Sequence, residues 1–265
     1  MKVWAVSNQK GGVGKTTSVV TLGGLLSAWG FNTLLVDLDP HGSLTSYFEL
    51  NPDTIASSVY DIFSAASLDK EMSPTPIIFN TRFQGLDLLP AGSAIATLDR
   101  QCASLDGMGL AISRALNKVN GQYDYALIDS PPMLGVLMIN ALAACQHLVV
   151  PVSTDFLAMK GLERMTRTLS MIQKSRKHPL NFTIVPTMFD RRTRASVQSL
   201  RYLRENYQEH LWTSVVPVDT KMRDASRAGV PPPYHAPKSR AILAYSEFLE
   251  YLMRLERFRS QAMAG

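Results

Sequence analysis

The segment Lys10-Gly11-Gly12-Val13-Gly14-Lys15-Thr16-Thr17 constrains this chain more than any other. It lies between a short apolar run, Val3 to Val6, and a stretch from Ser18 to Trp29 that carries Val19, Leu22, Leu25 and Leu26 on one helical face. A strand, a glycine-rich turn and a helix in that order point backbone N–H groups and a helix N-terminus at one anion. The segment is a variant of the phosphate-binding pattern G-x-x-x-x-G-K-[ST]. A polar residue holds the place of the first glycine, and an additional lysine, Lys10, opens the loop. In such a loop Gly11, Gly12, Val13, Gly14 and Thr17 line phosphates, Lys15 neutralises the terminal phosphate and Thr16 offers a hydroxyl to Mg2+. The expectation is a nucleoside triphosphate site; the bland alternative is a glycine-rich turn without nucleotide.

The rest of the chain alternates in the same way. Strands are predicted at Val3–Ser7, Thr33–Asp37, Leu86–Leu89, Tyr125–Asp129, Leu148–Pro151, Phe182–Val185 and Ser214–Val218. Helices are predicted from Gly92–Leu98 onward and at Leu110–Val119, Val136–Ala144, Ala158–Gln173, Ala195–Tyr207 and Arg240–Arg257, with Pro231-Pro232-Pro233 as a stiff loop before the last. Several strands are continuous apolar runs, which suits a sheet covered on both faces. The fold class expected is therefore α/β: a doubly wound, mostly parallel sheet with helices on both faces and ligands at the carboxyl ends of the strands. No repeat or linker divides the 265 residues, so one domain over 1–265 is expected. Two cysteines, Cys102 and Cys145, far apart and without a secretory leader, point to a reducing, cytoplasmic setting. Met133 to Cys145, the longest apolar stretch, is too short to span a bilayer.

Acidic residues end two of the apolar strands. Leu34-Leu35-Val36-Asp37-Leu38-Asp39-Pro40 places Asp37 and Asp39 at the end of the second, and Ala126-Leu127-Ile128-Asp129-Ser130-Pro131-Pro132 places Asp129 in the same way. A carboxylate at a strand end, downstream of a phosphate loop, suits Mg2+ held through its water shell. Each aspartate alternatively caps the helix that follows.

These three motifs, in order and spacing, resemble the deviant Walker ATPases of the ParA/MinD superfamily, on the ParA side. The likeness continues through Val150-Pro151-Val152, Gly161-Leu162, Pro186 to Thr193 and Tyr234 to Ser239. The resemblance implies a P-loop fold binding ATP and Mg2+, and an ATP-sandwich homodimer in which Lys10 reaches the partner's nucleotide. It also implies that Asp39 positions the attacking water and that Thr16, Asp37 and Asp129 serve Mg2+. The catalytic set is then Lys10, Lys15 and Asp39, and the nucleobase of the bound ATP would lie near Met188, Pro217 and Asp219. Hydrolysis awaiting dimerisation would make the chain a slow molecular switch. His41 stands where these proteins more usually have Gln.

Charge is uneven. Between Lys160 and Arg240 there are 16 Lys and Arg against six Asp and Glu, so this half faces something anionic or is repelled by something basic. Arg191, Arg192 and Arg194 cluster in one loop, and Lys221, Arg223 and Arg227 follow the next strand end. In ParA relatives arginines of these regions contact non-specific DNA, whereas a solvated basic face with pairs such as Arg201–Glu205 is the structural alternative. The final helix, Ile242 to Phe258, carries Leu243, Tyr245, Phe248, Leu249, Leu252 and Leu255, and core packing is expected over membrane binding. Asp39-Pro40-His41-Gly42-Ser43 and the segments from Phe156 and Phe189 resemble the ParC-like ATPases that position chemotaxis arrays at cell poles, through a protein adaptor. That cargo is the first expectation. The alternative is a plasmid or chromosome partition ATPase of the short type, binding non-specific DNA and a centromere-binding adaptor. A third class, a cluster-bearing reductase or an amide-forming ligase of the same superfamily, lacks its signature: the Asp129-Ser130-Pro131-Pro132 loop holds no cysteine.

Overall fold

The computed structural model describes residues 1–98, 108–176 and 179–264. Cys102 and the continuation of the helix predicted from Gly92 lie outside them. The elements run β1 (Lys2–Val6), α1 (Lys15–Ala28), β2 (Thr33–Asp37), α2 (Ser43–Tyr47), α3 (Val59–Ser67), β3 (Phe79–Asn80), β4 (Leu86–Leu89), α4 (Ala111–Asn117) and β5 (Tyr125–Asp129). They continue with α5 (Val136–Ala144), β6 (His147–Ser153), α6 (Phe156–Ser175), β7 (Asn181–Thr187), α7 (Arg194–Asn206), α8 (Lys221–Arg227), α9 (Pro232–His235) and α10 (Arg240–Ala264). The strands form one sheet in the order β3-β4-β2-β5-β1-β6-β7. All pairings are parallel except β3 with β4.

Period-two alternation divides the buried residues between the two faces. Val3, Ala5, Leu34, Val36, Ala126, Ile128, Leu148 and Val150 face one core with residues of α3 to α6. Trp4, Val6, Leu35, Leu127 and Val149 face the other, built with α1, α2 and α10. Helix α1 is buried on every side from Ser18 to Ser27 rather than on one stripe, because it lies between the sheet and the chain's last elements. Two glycines make that position possible. A Cβ on Gly23 would stand 2.5 Å from Leu35 Cδ2, and one on Gly24 would stand 2.9 Å from Pro231 Cβ.

Four sequence expectations change. Ser214–Val218 is not a strand: Pro217 makes only an isolated bridge to Phe189. Its neighbours still hold β7 and its continuation, Val216 N–H donating to Pro186 O and Val218 N–H to Phe189 O. Met188 turns left-handed between them (φ 53°), and Pro217 has no N–H to donate, so the ladder breaks. Gly92–Leu98 begins as a 3-10 turn, Ser93–Thr97. Pro232 opens a one-turn helix, consistent with proline at a first helical position. Helix α10 packs Ala241, Ile242, Tyr245, Phe248, Leu249 and Leu252 into the core, but Leu243 points outward. Among the described residues no helix is long and apolar enough to cross a membrane.

Candidate nucleotide-binding site

The loop after β1 wraps the N-terminus of α1 at the carboxyl edge of the sheet. Gly14 takes φ 91° at the helix start, a conformation that glycine alone adopts without strain. Val13 is buried, and its carbonyl accepts a hydrogen bond from Thr187 Oγ1 at 2.9 Å, tying the loop to the end of β7. Behind the loop, Asn8 is fully buried; its Nδ2 donates to Pro151 O at 2.8 Å and its Oδ1 accepts from Lys10 N–H at 3.2 Å. Lys15 is the first residue of α1 and is buried.

The acidic residues meet this loop from neighbouring strands. Asp37 and Asp129 are register partners across β2 and β5, both fully buried. Thr16 Oγ1 donates to Asp129 Oδ2 at 2.6 Å, while Asp129 Oδ1 has no hydrogen-bond partner among the described residues. Burial, and then the neighbouring Asp37 charge, push the Asp129 carboxyl well above the usual range. Burial likewise pushes Asp37 up to about 6, against three opposing hydrogen bonds. Those come from Thr45 N–H (2.8 Å), Thr45 Oγ1 (2.7 Å) and Asp39 N–H (3.1 Å). Asp37 therefore anchors α2 through Thr45, although the N-cap of that helix is Gly42, and Asp129 offers the freer oxygen. A half-buried hydroxyl and an orphaned carboxylate oxygen beside a phosphate loop fit a divalent cation that completes its shell with water and phosphate. Among the described residues no group of three or more His, Cys, Asp or Glu side chains stands ready as an all-protein cage.

Lys10 sits on α6. Its Nζ lies 3.5 Å from Asp155 Oδ1, and a Cβ on Gly161 would come within 2.8 Å of Lys10 Cβ. Asp155 caps α6 through Ala158 N–H at 2.9 Å. Burial raises its carboxyl, but hydrogen bonds from Ser153 and Ala158 and the Lys10 ammonium outweigh that and hold it below its ordinary value. With Asp155 nearly half exposed, the pair is a weak restraint that Lys10 can leave, on the order of 1 kcal/mol or less. Asp39 is nearly buried, and its Oδ1 accepts from both His41 N–H and His41 Nδ1 at 3.0 Å.

Beside Gly14 opens a cavity of about 520 Å3 lined by Met188, Pro217, Val218, Asp219, Arg223 and Arg227 among others. The three residues expected near a base are thus together. Met188 Cε would lie 3.8 Å from a Cβ on Gly14. Both oxygens of Asp219 are engaged by backbone, accepting from Lys221 N–H at 3.0 Å and Ala241 N–H at 3.3 Å. The six basic residues do not form one equivalent set. Arg192 is held bidentately by Asp190, at 2.9 and 2.7 Å, and that contact holds the Asp190 carboxyl down to about 2. Lys221 pairs with Asp224 at 3.3 Å, and Arg223 and Arg227 line the cavity. Sequence reasoning missed Thr45, Asn8, Asp155 and Thr187. Only Asp155 had a local signal, an N-cap residue between an apolar strand and a helix.

Residues 1–182 match the family described as an AAA domain. The chain is 34% identical over 245 residues to the sporulation initiation inhibitor protein Soj of Bacillus subtilis, covering 92% of this chain and 95% of Soj. It is 31% identical over 271 residues to the chromosome partitioning protein ParA of Caulobacter vibrioides, covering 100% and 98%. A crystal structure of cobyrinic acid a,c-diamide synthase from Mycobacterium smegmatis, with an ATP analogue and magnesium bound, superposes with a TM-score of 0.83 at 32% identity over 97% of this chain and 96% of that one. The partitioning names favour the alternative cargo over the chemotaxis arrays expected first. The loop, the strand-end aspartates, the sheet order and these likenesses agree: the chain belongs to the ParA/MinD-type P-loop ATPases within that AAA-domain family.

Proposed function

We propose that this chain is a Mg2+-dependent ATP hydrolase acting as a slow switch in partition of a chromosome or plasmid. The observation that carries the reading is the Thr16–Asp129 contact beneath the phosphate loop, with one buried Asp129 oxygen left unpartnered among the described residues. In this reading the backbone of Gly11 to Thr17 and the Lys15 ammonium hold the phosphates, and Thr16 and Asp129 hold Mg2+ with Asp37 supporting its water shell from behind. Mg2+, when bound, supplies charge neutralisation between the phosphates. Asp39 orients the attacking water, and Met188, Pro217 and Asp219 border the base. Lys10 leaves Asp155 to reach the partner's nucleotide in an ATP-dependent homodimer, acting in trans as an arginine finger does. Lys15→Ala is expected to lose ATP binding, and Asp39→Ala to bind ATP, dimerise and stall. Calorimetric titration, sizing and phosphate release check this; normal turnover in Asp39→Ala removes Asp39 from the role.

The basic face, with Arg191 and Arg194 exposed and outside the ion pairs that hold Arg192 and Lys221, binds DNA backbone, and a DNA-bound adaptor stimulates hydrolysis. Motif likeness around His41 supports the array-positioning cargo as a second reading. Fluorescent fusions discriminate: nucleoid patches following a DNA locus support partition, and polar foci following chemoreceptors support arrays. The Mycobacterium smegmatis name raises a ligase as a further reading. Among the described residues the one cysteine, Cys145, is buried with its thiol pushed up to about 12 by burial, so it supplies no nucleophile for releasing ammonia from an amide. ATP consumption dependent on glutamine and a carboxylic acceptor would favour the ligase.

A further inference from the structure

We propose that His41 is a positioning residue for hydrolysis, holding the Asp39 carboxylate so that one oxygen is committed to the protein and the other is free for water. The proposal rests on the reading of Asp39 as the residue that orients the attacking water. The loop from Asp37 to Gly42 is fixed at successive points. Asp39 N–H donates to Asp37 Oδ1 at 3.1 Å, and Asp39 O accepts from Gly42 N–H at 2.8 Å. Gly42 takes φ 58° directly against Pro52, whose Cγ would lie 2.3 Å from a Cβ at that glycine. Asp39 Oδ1 then closes a local turn by accepting from His41 N–H. Any residue at position 41 with a backbone N–H supplies that contact.

The imidazole adds what the backbone cannot. Nδ1 lies 3.0 Å from the same Oδ1, so two donors converge on one oxygen. Rotation of the carboxylate about its last bond breaks both contacts, and Asp39 Oδ2 accepts no hydrogen bond among the described residues. A water held at Oδ2 therefore meets an acceptor whose direction is set before substrate arrives. That is the preorganisation phosphoryl transfer requires when positioning outweighs basicity. Burial separates the roles of the two side chains: that of His41 is 81% exposed and that of Asp39 12%. Removing the ring therefore leaves the core intact while freeing the carboxylate to turn.

The Nδ1 atom must carry the proton to donate, which leaves Nε2 toward solvent. An asparagine at the same position carries an amide N–H at the corresponding distance along the side chain. The test measures steady-state ATP hydrolysis, ATP affinity and thermal stability for wild type, His41→Ala, His41→Asn and Asp39→Ala. The expected result is a drop of about ten-fold in kcat for His41→Ala, with KM, ATP affinity and Tm unchanged, and recovery to within about two-fold of wild type in His41→Asn. Unchanged kcat in His41→Ala overturns the proposal. Equal loss in His41→Ala and His41→Asn also overturns it, because the ring then does something a δ-position donor does not replace. Failure of the underlying reading looks different: Asp39→Ala retains full turnover, or the wild type releases no phosphate.

Discussion

Asp37 and Asp129 show what burying two neighbouring carboxylates costs a nucleotide-free protein. Each carboxyl lies above its ordinary value because burial penalises the ionised form. For Asp37 the folded value, about 6, exceeds the unfolded value, so its protonation favours the native state below the unfolded value and this contribution is lost as pH rises through the folded one. Asp129→Asn removes one of the two charges and keeps an acceptor for Thr16. We expect the nucleotide-free variant to exceed wild type in stability near pH 7 and to do so by less near pH 4, because the buried wild-type carboxyl is protonated in acid. Urea unfolding at the two pH values checks this. The same variant is expected to lose the Mg2+-dependent part of the stabilisation that ATP confers.

At the scale of elements, α1 joins the two functions of the N-terminal half. Its first turn carries Lys15 and Thr16, and its middle is pressed between β2 and the Pro231–Pro233 segment. Gly23→Val would place new atoms against Leu35 and Leu86 in a packed core. We expect destabilisation of about 1–3 kcal/mol by urea unfolding, exceeding the helix-propensity gain over glycine. Helix α2 is the counterpart on the acidic side, held by Asp37 through Thr45 and reaching Val230 O through the Tyr47 hydroxyl at 2.9 Å. Neither α2 nor α3 was predicted from sequence. The five residues of α2 are too few for a periodic signal, and tertiary hydrogen bonds, not propensity, hold it.

Over the whole molecule, the basic half bears on partner choice through which cations are already paired. Arg191→Ala and Arg194→Ala are each expected to weaken binding to non-specific duplex DNA and to lower the salt slope by about one unit. Arg192→Ala should have less effect, since Asp190 already holds that guanidinium, and Asp190→Ala should strengthen binding by releasing it. Fluorescence anisotropy across a salt series measures all four. Equal losses for the three arginine variants would mean that DNA displaces Asp190 at no cost.

Much of this was legible in the chain itself. The strand–loop–helix order around Lys15, the aspartates closing β2 and β5 and the alternation of apolar runs determined the fold class and pointed to the loop and the strand-end aspartates as candidate site residues, because each is a local pattern with a local physical cause. What only the tertiary structure decided is how those members are partnered. Thr45 on Asp37, Thr187 on Val13, Asp155 on Lys10 and Asp190 on Arg192 are matters of distance and burial between side chains. The Lys10 segment illustrates the division. Its composition makes it a phosphate loop, but only packing against Gly161 and Asp155 shows where the extra lysine rests.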